Sequence, residues 1–413
     1  MGSEGGRARP KTTISFPSTI FGVAVHPSRP LVATGLSTGH VFAHRYAADE
    51  IDIETNGDSG DSDDGGITEK IDLIWRTRRH KGSCRGVAFD EEGAYLYSVG
   101  TDSVIKQALP DTGSVITKNS YDIDSSPSAL TATTSHILVG TEKASLQGFD
   151  RRTLKPTFTF TDLHNDYITS ISHLAQYQNS YHLITTGSTT VTRIDIRKGK
   201  LSTSEDQEDE ILCSCISYPP NFEYNPSEGR DSKAAVPEKR VNVTAVMGMA
   251  TGVLTFWMKD NWEDQQTRAI MSNESIDCMA EYPDQRIIAG GADGLVRLID
   301  VRGRKVIKEY DHGGEDGVVA VAADSWGRVI SAGGEVVRVW SVDDELDELK
   351  RLSDSDDNGT ESDKSENESD DSDDNGKKSK KRKKAKKRRR GKTKNRLVAN
   401  ARSSSKPNFS GLD

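Results

Sequence analysis

The chain has 413 residues, of which 33% are hydrophobic and 29% charged, and its formal net charge is −9. That length admits one large domain or two to three average ones. With no apolar run approaching eighteen residues and no hydrophobic leader, the sequence is expected to enter neither a membrane nor the secretory pathway.

In chain order, a flexible N-terminus (1–10) precedes KTTISF (11–16), a β-branched run with no neighbour to pair with. IFGVAVHP (20–27) is the first of many short apolar runs separated by Gly, Asp, Asn and Ser turns. Such runs form strands, because branched side chains pack well on a pleated surface. Residues 47–69 are a polar, acidic insertion. After it, Arg76, Arg78, Arg79, Lys81 and Arg85 form a basic cluster, read as solvated charge or a counterpart to the acidic insertion, with RNA contact as the alternative. RGVAFDEEGAYLYSVG (85–100) and MAEYPDQRIIAGGADGLVRLID (279–300) repeat one grammar: strand, turn, strand ending in small residues, tight turn, third strand. Between them lies a second polar insertion, 219–240.

Strand-one starts fall near Ile20, Cys84, Ser128, Ile168, Ile211, Ile276 and Val318, at intervals of 64, 44, 40, 43, 65 and 42 residues. Each long interval contains an insertion, and removing it restores a period of about 40–45, the length of a four-stranded propeller blade. Seven starts predict an all-β fold, a seven-bladed β-propeller spanning 11–342. No outer strand for the last blade follows Val342. Residues 11–16 are expected to supply it and close the ring, which would otherwise keep an open seam.

Four cysteines, Cys84, Cys213, Cys215 and Cys278, have neither metal-ligand nor redox spacing. Cys213 and Cys215 are two apart in an apolar run and are read as small buried hydrophobes on one strand face. There is no phosphate-binding loop, metalloprotease helix or nucleophile elbow, so no enzyme activity, cofactor or small-molecule substrate is expected.

Beyond the propeller, an acidic linker (343–374) carries sixteen acidic and three basic residues. The basic tail (375–413) contains fifteen lysines and arginines between Lys377 and Arg396, without one acid. Such composition cannot offset the entropy of ordering, so both segments are predicted to be disordered. The densest part, Lys380, Lys381, Arg382, Lys383, Lys384, Lys386, Lys387, Arg388, Arg389 and Arg390, reads as a nuclear or nucleolar address or an RNA-phosphate contact. Ser353 and Ser365, each followed by an acid, resemble acidophilic kinase sites.

The units resemble degenerate WD repeats. GGADGLVRLID (290–300) places Asp293 and Gly294 in the turn between the second and third strands. His80, His164 and His312 precede first strands, where the family keeps a structural histidine, and Trp340 in VRVWSVD matches the repeat's tryptophan. The resemblance implies that histidine and turn aspartate join a buried polar network. The segments 14–41 and 73–102, with the acidic-then-basic tail, are together similar to a family of nucleolar WD-repeat proteins, best described in fungi and animals. That resemblance implies a non-catalytic scaffold in ribosomal RNA processing and maturation of the large (60S) ribosomal subunit. Its partners would be pre-ribosomal particle proteins, with ribosomal RNA contacted through the basic tail. The alternative is a nuclear adaptor at chromatin or a substrate-recruiting subunit of a ubiquitin ligase.

Overall fold

A computed structural model describes residues 9–46, 71–120, 125–174, 181–219, 243–258, 261–313 and 317–342. The first strand, β1 (Thr12–Ser15), is followed by blade one: β2 (Ile20–Val25), β3 (Leu31–Leu36), β4 (His40–Tyr46) and β5 (Ile71–Arg78). Blade two is β6 (Cys84–Phe89), β7 (Leu96–Gly100), β8 (Val104–Ala108) and β9 (Val115–Ser120). Blade three is β10 (Pro127–Ala132), β11 (His136–Thr141), β12 (Leu146–Asp150) and β13 (Pro156–Phe160). Blade four is β14 (Ser170–His173), β15 (His182–Gly187), β16 (Thr190–Asp195) and β17 (Gly199–Thr203). Blade five comprises β18 (Ile211–Ser217), β19 (Thr244–Met249), β20 (Val253–Met258) and β21 (Thr267–Ile270). Blade six comprises β22 (Ile276–Tyr282), β23 (Arg286–Gly291), β24 (Leu295–Asp300) and β25 (Lys305–Asp311). In blade seven, β26 (Ala320–Ala323), β27 (Val329–Gly333) and β28 (Val336–Trp340) are completed by β1.

Each blade is an antiparallel meander, and the inner strands β2, β6, β10, β14, β18, β22 and β26 contact one another in order, with β26 returning to β2. That is a seven-bladed β-propeller. The second strand of a blade is covered on both faces, so β3 (LVATGL), β7 (LYSVG) and β19 (TAVMGM) are buried throughout and read as continuous small or apolar runs. Outer strands are wet on one side and alternate, as in β25 (KVIKEYD).

The first residue of the inner strand, or one just ahead of it, anchors each blade. Ile20, Cys84, Ile168, Ile211, Ile276 and Val318 are all at most 1% exposed. Blade three departs by one position, since Pro127 takes the buried place and Ser128 the half-buried one. Pairing of Thr12 with Val339 and of Ile14 with Val337 joins the two ends of the propeller. Ile14 and Phe16 enter a core with Ile330, Val337 and Val339 of blade seven and Val32, Phe42 and Tyr46 of blade one. Phe16 meets Phe42 edge to face at 5.5 Å.

Cys213 and Cys215 of β18 are both buried in the core between blades five and six. Among the described residues, no helix is long and apolar enough to cross a membrane. The insertion 47–69, all of 219–240 except Pro219, and the two tail segments lie outside the described residues.

One reading of the basic cluster is corrected. Arg79 is 4% exposed, not solvated. Its guanidinium lies 4.7 Å from the Trp75 ring and donates from Nη2 to the Gly113 carbonyl at 2.9 Å. An arginine can be buried this way because its planar, weakly hydrated head stacks on an aromatic face. Burial pushes its pKa down to about 10. Arg76 and Arg78 remain exposed on β5, and Arg85, also exposed, lies over the Phe21 ring at 5.0 Å.

Candidate functional site: intrablade networks and the channel mouth

Inner strands all begin at one rim of the ring, where the chain also crosses from blade to blade. At this rim His80 follows β5 and reaches into blade two. Its Nδ1 lies 2.9 Å from Asp102 Oδ1 and its Nε2 3.0 Å from Ser98 Oγ. The other Asp102 oxygen accepts the Lys81 backbone N–H at 3.0 Å. His164 does the same in blade four, between Thr190 Oγ1 (2.8 Å) and Thr185 Oγ1 (2.9 Å). In blade seven His312 Nδ1 lies 2.8 Å from Ser331 Oγ, which also accepts the Trp340 indole N–H at 2.8 Å. Two of the residues marked in the sequence are thus joined, His312 and Trp340, through a serine.

Glycine makes room for each ring. A Cβ on Gly100 or Gly187 would meet the His80 or His164 ring at 2.5 or 2.7 Å, and one on Gly333 would meet the Gly317 carbonyl oxygen at 2.1 Å and the His312 ring at 3.1 Å. The signal for these partners was in the second strands, where SVG (98–100), TTG (185–187) and SAG (331–333) share a Ser/Thr-x-Gly pattern.

Burial lowers His80 against the upward pull of Asp102. His164 falls to about 4, through burial and then the charge of Lys200. His312 falls to about 4, through burial and then Arg338. At neutral pH all three are uncharged, so each network is a chain of neutral or singly charged hydrogen bonds.

Asp293 and Gly294 occupy the turn between β23 and β24, with Gly294 at φ +72°. Here no histidine is used. Ser272 stands in that place and donates to Asp293 Oδ2 at 3.1 Å. Arg297 donates to Asp293 Oδ1 at 3.2 Å, makes a second bond to Oδ2, and reaches Glu309 at 3.0 Å. Burial would raise the Asp293 carboxyl, but the bonds and charge of Arg297, with the bonds from the Leu295 N–H and Ser272, together outweigh it and hold it below its usual range. In blade five Trp257 donates its indole N–H to Thr255 Oγ1 at 3.0 Å. Ser272, Arg297 and Trp257 were not singled out in the sequence, although Trp257 in VLTFW holds the same third-strand place as Trp340 in VVRVW, a signal that could have found it.

These groups lie in separate blades and do not converge. Among the described residues, no three His, Cys, Asp or Glu side chains come close enough to hold a metal ion. The cysteines offer no nucleophile: burial pushes Cys84 up to about 12 and raises Cys213, Cys215 and Cys278 further.

A concave feature lies at the same rim, where blades one to four meet at the mouth of the central channel. A cavity of about 480 Å³ is lined by Phe21, Arg85, Pro127, Ser128, Glu142, Asp166 and Tyr167. Phe21 is 39% exposed although it follows a fully buried isoleucine. Arg85 covers part of it and lies 4.0 Å from Glu142. Tyr167 donates its phenolic hydroxyl to Glu210 at 3.1 Å. Burial raises the Tyr167 hydroxyl to about 12, and Glu210, Asp166 and Asp277 add to the shift.

The rim is also strongly acidic on one side. The loop 161–169 holds Asp162 and Asp166, and the loop 204–210 holds Glu205, Asp206, Glu208, Asp209 and Glu210, with no lysine or arginine in either. The targeting run Lys380–Arg390 and the serines Ser353 and Ser365 lie outside the described residues.

No family model matches the chain. Fungal proteins do. It is 34% identical over 355 residues to WD repeat-containing protein jip5 of Aspergillus terreus, covering 79% of this chain and 81% of that protein. Against the protein of the same name in Botryotinia fuckeliana it is 36% identical over 362 residues, 79% and 80% of the two chains. Against WD repeat-containing protein JIP5 of Coccidioides immitis it is 36% identical over 368 residues, 81% and 82%.

Proposed function

The chain belongs to the family of WD repeat-containing protein JIP5, and we propose that it serves as a non-catalytic nucleolar scaffold in ribosome biogenesis. Its propeller would hold proteins of a pre-ribosomal particle while ribosomal RNA is processed and the large subunit matures. The observation that carries this reading is the basic run 377–396, fifteen cations without an acid, joined to a ring of blades. Dense positive charge suits both a nucleolar address and a contact with RNA phosphates, where released counterions supply the driving force. A propeller supplies rim loops for several partners at once.

Sedimentation of tagged full-length protein from fungal extract tests this. It should co-migrate with precursors of the large subunit and shift to light fractions after ribonuclease treatment. Migration that ribonuclease leaves unchanged would overturn the reading. A reporter fused to residues 377–396 should accumulate in the nucleolus, and the chain lacking them should lose that location.

A further inference from the structure

We propose that the cavity at the channel mouth is a docking pocket for an extended, arginine-bearing segment of a partner protein. This deepens the scaffold reading by naming the class of partner it holds. Proteins that bind RNA carry dense positive segments of this kind.

The volume, about 480 Å³, is that of a ligand site. Phe21 is the sign that something covers it. Across the blades, the residue after the buried anchor is Arg85, Ser128, Thr169, Leu212, Asp277 or Val319, and only in blade one is it an aromatic ring. An exposed ring in a concave site is apolar area left for a partner to cover. Tyr167 supplies a second ring on the blade-four side.

Charge selects the partner. The pocket's own cation, Arg85, is engaged by the Phe21 ring and by Glu142. Among the described residues, Asp166 and Glu210 accept hydrogen bonds from neutral donors, the Tyr167 N–H and O–H respectively. Asp277 stands close enough to act on Tyr167 as well. A nucleic-acid strand or an acidic peptide would bring anions against these carboxylates. A guanidinium satisfies both features of the site, because its flat face stacks on aromatic rings and its edge donates in pairs to carboxylates. An ammonium fits less well, being a compact and strongly hydrated charge.

The experiment uses the full-length chain and a fluorescein-labelled twelve-residue peptide of alternating arginine and glycine, titrated at about 150 mM salt, where long-range attraction is screened. The wild type should bind the arginine peptide at least fivefold more tightly than its lysine counterpart. Phe21→Ala, Phe21→Leu and Asp166→Asn should each weaken binding about tenfold, while Glu208→Gln, on the rim outside the cavity, should change it less than twofold. Phe21→Leu keeps an apolar side chain, so a folding defect in the alanine variant does not decide the result. Binding by both Phe21 variants within twofold of wild type would overturn the proposal, as would equal loss in Glu208→Gln, which marks diffuse attraction. Deleting 377–396 should leave the peptide affinity unchanged; a tenfold gain would mean that the chain's own basic run fills the pocket, and the assignment to a partner would fall. Displacement of the peptide by a twelve-nucleotide RNA that Phe21→Ala no longer binds would overturn it in favour of RNA. No ribosomal particle enters the titration, so peptide binding without co-sedimentation refutes the pre-ribosomal reading alone.

Discussion

Blades six and seven are neighbours that solve the same problem with opposite means. Blade six is one continuous segment from Ile276 to Asp311, whereas blade seven draws three strands from the end of the propeller and one from its beginning. Blade six ties its entry loop to its strands through Ser272, which donates to Asp293, and Asp293 is ion-paired with Arg297, which is only 5% exposed. Blade seven uses an uncharged chain, His312 to Ser331 to Trp340. The requirement is therefore a buried polar link between entry loop and sheet, and no particular residue pair.

The largest effect separating the two should come from removing residues 1–16. Blade seven then loses its outer strand and the core loses Ile14 and Phe16, so the melting temperature should drop by more than 10 °C or cooperativity should vanish. Phe16→Ala alone should destabilise by about 3–5 kcal/mol in chemical denaturation. Retention of the wild-type transition by both would refute ring closure by β1.

Next in size is the ion pair. Arg297→Ala leaves the Asp293 carboxylate without its buried partner and should cost about 2–4 kcal/mol. Reversing the defect with Asp293→Asn in the same chain should recover part of that loss, because two neutral groups remain where one charge was stranded. A double variant no better than Arg297→Ala would show that the pair is not coupled.

Acid distinguishes the blades by window. His164 and His312 fall from the ordinary value of 6.5 to about 4 on folding. The unfolded chain then binds more protons between those values, so stability is lost as pH drops from 6.5 to 4, by about 1–3 kcal/mol per histidine. The depressed carboxyl of Asp293 acts lower, its contribution being lost as pH falls below the normal carboxylate value of 3.8. Denaturation at several pH values should show His312→Gln flattening the first window and Arg297→Ala leaving it intact. An unchanged slope between 6.5 and 4 in the histidine variant would contradict the assignment.

The smallest effect is Trp340→Phe, which removes one indole bond and some volume beside Tyr310 while His312 keeps its serine. A loss of about 1–2 kcal/mol in the denaturation midpoint is expected.

Why the blades could be read from sequence, and the pocket could not, has a physical basis. Each blade opens on a residue that must be buried for the ring to close, so Ile20, Cys84, Ile168, Ile211, Ile276 and Val318 mark the period as apolar starts. Proline took that role in blade three, which moved the start from Ser128 to Pro127. Histidines stood out because their spacing ahead of first strands repeats. Ser272 and Arg297 fill the same slot with residues that elsewhere in the chain are ordinary surface polar groups. Arg79 misled for the converse reason: an arginine among four other cations reads as solvated, and only the Trp75 ring beneath it makes burial favourable. The channel-mouth cavity draws Phe21, Arg85, Glu142 and Asp166 from different blades, so their proximity exists only once the ring is closed.

Pairing of Thr12 with Val339 also sets an order of events during translation. The strand made first must wait for its partner, which is made last. At about 5–20 residues per second, about 16–65 s separate them. For that interval the growing protein is an open arc, with a free edge on either side and the faces of blades one and seven still wet. Nascent chains of this shape are targets for holding chaperones and for pairing with a second copy on the same message. Because the basic run is synthesised after Trp340, a nuclear address carried there would become available only once every strand of the ring has been made.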